Sequence, residues 1–547
     1  MAHAFRRVKI PALMLSLGLA TSLGLGLPAA AETATGIVRL DAPRKTLHVA
    51  GTAGADAITI TGTPDKIVVD LNTDGVPEAS YELARVQRIV LRGLAGNDAL
   101  DTRTVPSAIK VAISGGAGDD TITSGDGADR IWAGAGSDAV FAGKGNDAMF
   151  LGSGDDRFGW APGDGNDDAD GQAGTDTQLF LGAGLDESVK VRADGRQVRF
   201  VRDVGNVVME LDRIEILDTD LRTGDDTIDV GDLSGTGVRE VIARLGNNPG
   251  SQGRVIAHGT RRADHVLPTS FPGSNGATVG VSGLSAAISL DGVGVEDQLE
   301  VRTGSGNDKI ESGIAAGTIT FTGDGGRGDD TLLGGTADET LIGGPGSDVI
   351  DGNQGNDTAD LGSGKLNVFI WDPGDGSDAV RGGSGTDVLA FRGSNGAEKF
   401  ALTKSGRNTS RFTRDLGNIV MDLTSVEVVD LTAMAGADDL RVGDLTGSGV
   451  RHVEANLSVV PGTPNSDAAI DTVTIDGTDR NDKITVTGSA KAPIGSGTVS
   501  IEGFLPAGVN LTRVEPTDRL VVNGRAGIDT VDTAGLAPGT VEFTFNQ

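Results

Sequence analysis

Aspartate recurs every nine residues in one stretch of this chain, each time closing a glycine-rich turn and standing two residues before a large apolar side chain. From Gly115 the sequence reads GGAGDDTIT, SGDGADRIW, AGAGSDAVF, AGKGNDAMF and LGSGDDRFG, five units on the template G-G-x-G-x-D-x-U-x, where U is apolar. The acids are Asp120, Asp129, Asp138, Asp147 and Asp156, and the U positions are Ile122, Ile131, Val140, Met149 and Phe158. Glycine permits the strained angles of a sharp turn and leaves the backbone carbonyls uncovered. One carboxylate per turn plus bare carbonyls is an all-oxygen donor set. Calcium, a hard cation that takes six to eight oxygens in flexible geometry, matches such a set.

The elements that must position these acids are short strands. The x-U-x end of each unit reads as a strand with U pointing inward. The pattern resembles the RTX family, the hemolysin-type calcium-binding repeat proteins. The resemblance implies an all-β fold, a parallel β-roll in which two units make one coil and ions lie between turns two units apart. It thereby pairs Asp120 with Asp138, Asp138 with Asp156, and Asp129 with Asp147. After a two-residue slip at Trp160 and Ala161 come PGDGNDDAD and GQAGTDTQL, with Asp167 and Asp176. The second of these lacks an apolar U and reads as a cap, with Asp176 at the frayed end of the stack.

A second block begins at Gly325 with GGRGDDTLL, GGTADETLI, GGPGSDVID, GNQGNDTAD and LGSGKLNVF. After a three-residue slip PGDGSDAVR and GGSGTDVLA follow. Its candidate ligands are Asp330, Asp348, Asp357, Asp378 and Asp387. Glu339 and Leu366 depart from the template, and Leu366 is expected to end one column of ions. The duplication is wider than the blocks, since VRFVRDVGNVVMELDRIEIL from Val198 matches SRFTRDLGNIVMDLTSVEVV from Ser410. Solitary units recur at Gly51, Gly259 and Gly477, and at Gly93, Thr303 and Gly524. The chain thus reads as modules at about 47–254 and 255–472 and a truncated third copy over 473–547. Within them lie β segments at 32–114, 181–254, 255–324 and 392–472, around rolls at 115–180 and 325–391. Alternating apolar and polar runs such as KIVVDL and TVEFTF mark the segments between rolls as β. A continuous solenoid with longer coils is expected there, in preference to a sandwich or barrel.

Composition supports cation binding. The 547 residues include 85 Gly, no Cys, one Tyr and three Trp, so neither disulfides nor an aromatic-rich core holds the fold. Residues 1–31 read as a secretory signal peptide, with Arg6, Arg7 and Lys9 before an apolar run and Pro28-Ala29-Ala30-Ala31 at the cleavage site. The run is shorter than the ~20 residues of a membrane span. The Arg6-Arg7 pair suggests a twin-arginine signal, but the following residues fit general secretion better. Removing those three bases leaves 43 Lys and Arg against 77 Asp and Glu, a net of −34. Nucleic acid and anionic membrane are therefore excluded as partners, and no membrane insertion is expected.

Other chemistry is thin. Asp70-Leu71-Asn72-Thr73-Asp74-Gly75 reads as D-x-N-x-D-G, either a strand-flanked calcium loop or an Asx-rich hairpin turn. His258 and His265 stand seven apart, a weak zinc pattern. No H-E-x-x-H or G-x-S-x-G occurs, which argues against the protease and lipase chemistries that accompany RTX rolls elsewhere. The reading is a secreted, non-enzymatic, extracellular or cell-surface calcium protein with a structural or adhesive role. Its partners are calcium ions, together with surface or matrix polysaccharide or further copies of itself. The alternative is a β-helical enzyme acting on polysaccharide and stabilised by calcium rolls.

Overall fold

A three-residue strand with one apolar side chain cannot bury that side chain alone, so it must stack on its own kind. The computed structural model describes residues 36–246, 250–273, 276–458, 467–490, 496–503 and 507–547, and the stacking runs through all of these segments. The candidate signal peptide lies outside the described residues. Among those described there are 48 strands and three single-turn 3-10 helices. The strands form two sheets of 24 each. The chain is an all-β, largely parallel β-solenoid.

Each coil gives one strand to each sheet. In the first sheet Lys110–Ala117 pairs in parallel with Arg130–Ala135, then Ala148–Ser153, then Asp168–Ala173. In the second, Ala99–Asp101, Thr121–Thr123, Ala139–Phe141, Arg157–Trp160 and Thr177–Leu181 follow one another in the same way. Ile131 faces Met149 and Val140 faces Phe158, a shift of one 18-residue coil. Across the slip the shift grows to 20, with Phe158 facing Gln178. The extra residues are absorbed by Trp160, which is buried and stacks on Phe180 at 4.6 Å; Trp371 does the same on Phe391 at 4.0 Å.

Inward columns of aliphatic side chains form the core. One runs Leu100, Ile122, Val140, Phe158, Gln178, Leu217, Val241 and Ile288, every member buried. Each full burial of such an apolar side chain contributes about 1.5–3 kcal/mol. Gln178 corrects the expected cap. The strand Thr177–Leu181 pairs onward with Ile216–Asp220, and Gln178 lies inside the core with its amide nitrogen 3.7 Å from the Met209 sulfur. The neighbouring coil covers this polar U position, and its amide oxygen is left buried without a hydrogen-bond partner, a cost set against the apolar burial on either side.

Between the rolls the coils lengthen by a fixed device, a parallel rung opened into an antiparallel three-stranded meander. Ser188–Asp194, Gln197–Arg202 and Val207–Asp212 form one, and Lys399–Gly406, Thr409–Arg414 and Ile419–Thr424 its counterpart. His265–Gly273, Gly276–Ser282 and Ala287–Val293 form another, again after a solitary unit. The outer strands of each meander rejoin the parallel ladder. The sequence duplication does not divide the structure, since the repeat boundary at 254/255 falls in the strand Arg254–His258, which pairs with coils on both sides.

Twenty-four strands in file at about 4.8 Å spacing give a body about 110 Å long, whereas a compact chain of similar length has a radius of gyration near 24 Å. Small-angle scattering in calcium is expected to return a radius clearly above 30 Å and a rod-like profile. A value at the compact figure contradicts the continuous stack.

Candidate metal centre

The nonapeptide acids meet as a ladder. Asp120 N–H donates to Asp138 Oδ1 at 2.8 Å, Asp138 N–H to Asp156 Oδ1 at 2.7 Å, and Asp156 N–H to Asp176 Oδ1 at 3.0 Å. On the other side of the coil Asp129 donates to Asp147 and Asp147 to Asp167. In the second roll Asp330 donates to Asp348, and Asp357 to Asp378. All twelve candidate aspartates are buried. In eleven of them, all but Asp167, the second carboxylate oxygen is buried with no hydrogen-bond partner. Such an orphan is costly unless a cation or a proton answers it.

The glycines show where that oxygen points. A Cβ added to Gly115 would lie 2.2 Å from Asp120 Oδ2 and 2.4 Å from the Ala133 carbonyl. At Gly171 the same position meets Asp176 Oδ2 and the Arg213 carbonyl. The first glycine of the unit thus leaves room for a carboxylate oxygen to approach a carbonyl of the adjoining coil. The turn glycines sit against each other as well: Gly118 has φ +123°, Gly136 φ +133° and Gly154 φ +130°, and a Cβ on any of them would strike the carbonyl of its counterpart one coil earlier. Side chains are excluded and oxygens are gathered. The donor set is oxygen only and fits calcium, with Asp120, Asp138 and Asp156 in one column and Asp129 and Asp147 in the other placed to hold it. Bound there, calcium supplies the positive charge that links coil to coil.

Without a cation the ladder is electrostatically strained. Burial, with repulsion from neighbouring carboxylates adding to it and backbone hydrogen bonds opposing it, raises Asp138 to about 7 and Asp147 to about 8. Asp330 is pushed to about 7 and Asp378 to about 7 for the same reasons. Burial against its own column raises Asp357 to about 8, with repulsion from Glu339 contributing.

The ladder is longer than the tandem blocks. Asp56 donates to Asp98 and Asp98 to Asp120; Asp264 donates to Asp308 and Asp308 to Asp330; Asp482 donates to Asp529. These acids were legible as position six of the solitary units, which carry no apolar tandem to advertise them. Asp438, Asp471 and Asp518 continue the ladder with no unit to mark them. Three expectations change. Asp176 is not a frayed end, since its N–H passes on to Glu215 Oε2 at 2.8 Å. Leu366 is exposed, and one extra residue brings Asn367 into the rung, accepting from Asp348 and donating to Asp387, so the hydrogen-bond ladder runs on through a position that has no carboxylate to offer an ion. Glu339 keeps its place, donating to Asp357 Oδ1 at 2.7 Å.

The remaining candidates do not converge. In the 70–75 turn Asp70 accepts from Asn72 and Gly75, Asp74 from Val76, and Glu78 from Leu71, so the carboxylates are engaged by their own hairpin. His258 contacts Asp229 and His265 contacts Glu311, on strands of different sheets. Among the described residues no three His, Asp or Glu side chains gather as a self-sufficient metal cluster.

Two outcomes follow for the metal-free chain. A folded-state carboxylate raised above its unfolded value stabilises the fold below about pH 4 and withdraws that support as pH rises through its folded value. In chelator the β signal by circular dichroism is therefore expected to weaken from pH 4 to pH 8, and calcium to abolish that dependence. The second outcome concerns single ligands. Asp138→Ala and Asp176→Ala each break an internal rung, so each is expected to raise the calcium midpoint of folding and lower the bound stoichiometry by calorimetric titration; a silent Asp176→Ala contradicts the extended ladder.

Comparison with known families agrees with this geometry. The family model of the RTX calcium-binding nonapeptide repeat matches in four copies, at residues 112–140, 125–158, 333–365 and 374–390. Comparison with curated proteins gives no match. The matched segments are the two rolls in which the aspartate ladder is most regular, and the chain carries calcium-binding repeats of the RTX type.

Proposed function

We propose that this is a secreted structural protein that folds on calcium outside the cell and serves adhesion or assembly at a bacterial surface or in its matrix. The observation that carries the reading is the burial of the ladder. Asp138 and its neighbours are 0–3% exposed, and Asp138 spends one oxygen on the preceding coil and its N–H on the next. Ligands so placed tie coils together and give a substrate no access, so the metal acts on folding and not on catalysis. Export in the unfolded state through residues 1–31 suits a chain whose fold awaits extracellular calcium. Among the described residues no helix is long and apolar enough to cross a membrane. The acidic exterior keeps the rod soluble and directs it toward cationic or calcium-bridged partners.

A second reading, action on polysaccharide, draws support from a hollow of about 350 Å³ on the outer face of roll 1. Phe141, 47% exposed, lies there against Gly159, with Asp218, Asp220 and Arg244 on the wall.

One experiment addresses both. The full chain is incubated with cell envelopes of the producing organism in calcium and in chelator, and retention and released reducing ends are measured. Retention or self-association only in calcium, with no sugar released, is the expected result. Release of reducing ends that is lost in Asp218→Asn favours the enzyme.

A further inference from the structure

The coil that follows each roll departs from the aspartate pattern, as Glu339 does within the second roll. Its position-six acid is a glutamate, Glu187 after the first roll and Glu398 after the second, and each holds the ladder place: Glu187 N–H donates to Asp226 Oδ1 at 2.8 Å, Glu398 N–H to Asp438 Oδ1 at 2.9 Å. In the rolls the ladder acids meet no cation from the protein. Here they do. The Arg202 guanidinium pairs with Glu187 Oε1, leaving Oε2 buried beside it without a hydrogen-bond partner, and Arg414 Nε donates to Glu398 Oε1 at 2.6 Å while Ser394 N–H donates to Oε2. Among the described residues these are the two ion pairs with both side chains buried, the arginines 4% and 6% exposed and the glutamates 0%.

Both arginines are delivered in the same way. They close the middle strand of the meander, Gln197–Arg202 and Thr409–Arg414. Each guanidinium lies over the tryptophan that fills the slip of the roll, Arg202 at 5.4 Å from the Trp160 ring and Arg414 at 5.3 Å from the Trp371 ring. The aromatic face adds to the hold on the cation. The added methylene of glutamate extends the carboxylate, and the meander supplies the charge that meets it. Arginine is always protonated and is the residue best suited to a buried carboxylate.

We propose that Arg202 and Arg414 are built-in cations that take the place of calcium in the coil after each roll. Those two coils then fold without metal and remain as preformed ends on which the rolls assemble when calcium arrives. This rests on the calcium reading of the rolls and assigns the chain's own residues a role within it.

Hydrogen exchange on the full chain, in chelator and in calcium, tests the assignment. In the parent, residues 182–212 are expected to stay protected in both conditions, while 115–176 are protected only in calcium. Arg202→Met is expected to speed exchange at 182–212 in chelator by on the order of 100-fold, the scale of breaking a buried pair, and to recover in calcium. Arg202→Lys keeps the charge and is expected to stay protected in chelator. The double variant Glu187→Gln with Arg202→Met removes both charges and is expected to stay protected as well, which separates charge from packing. Parent-like protection of Arg202→Met in chelator, or loss that calcium does not restore, overturns the proposal. Protection of 115–176 in chelator in the parent would instead overturn the calcium reading, and this assignment with it.

Discussion

The structure depends on one contact repeated along its length, the backbone N–H of a position-six acid donating to the carboxylate of the next. It sets the register of the coils and fixes one oxygen of each acid, leaving the other buried beside its neighbours. Two unit charges about 4.8 Å apart repel by about 3 kcal/mol at an effective dielectric constant near 20. That equals or exceeds the burial gain of one Ile or Val in the same coil. Each 18-residue coil carries two such acids, so repulsion cancels about as much as two inward apolar side chains supply. The apolar stack alone cannot decide the fold, and a cation or a proton must.

The same constraint explains the choice of residues around it. Glycine at position one, as at Gly115 and Gly171, leaves the space in which the carboxylate oxygen meets the adjoining carbonyl, while Ser124, Ala133, Ala142 and Leu151 stand there in the other tandem units of the first roll. Position four is glycine where turns stack carbonyl on Cα, as at Gly136 on Gly118. The U residues vary from Ile122 to Phe158 because the interior requires volume and cover, and Gln178 stands among them at the cost of a buried amide oxygen with no partner. Where the meanders lengthen a coil the ladder is kept, and the parallel rungs re-form on either side.

Much of this was legible in the sequence, and the reasons for the remainder are physical. Nine-residue spacing exposes any site whose ligands recur at that interval, so Asp120 to Asp156 and their second-roll counterparts stood out. Asp226, Asp438 and Asp471 hold the same rung but lie in coils of irregular length, where contact is set by stacking and leaves no sequence period. The change at Asn367 comes from a one-residue insertion that shifts the ladder position past Leu366. Arg202 and Arg414 were visible only as part of a duplicated phrase, because the pairing with Glu187 and Glu398 is made by a meander that folds back 15 or 16 residues.

The central claim is that the orphan oxygens of the ladder are calcium ligands. Anomalous diffraction from crystals grown in calcium tests it most directly. The expected result is two files of anomalous peaks within each roll, beside the second oxygens of Asp120, Asp138 and Asp156 and of Asp129 and Asp147, spaced by one coil. Ordered rolls with no anomalous density at those oxygens, and with the carboxylates answered by protons or water, would contradict it.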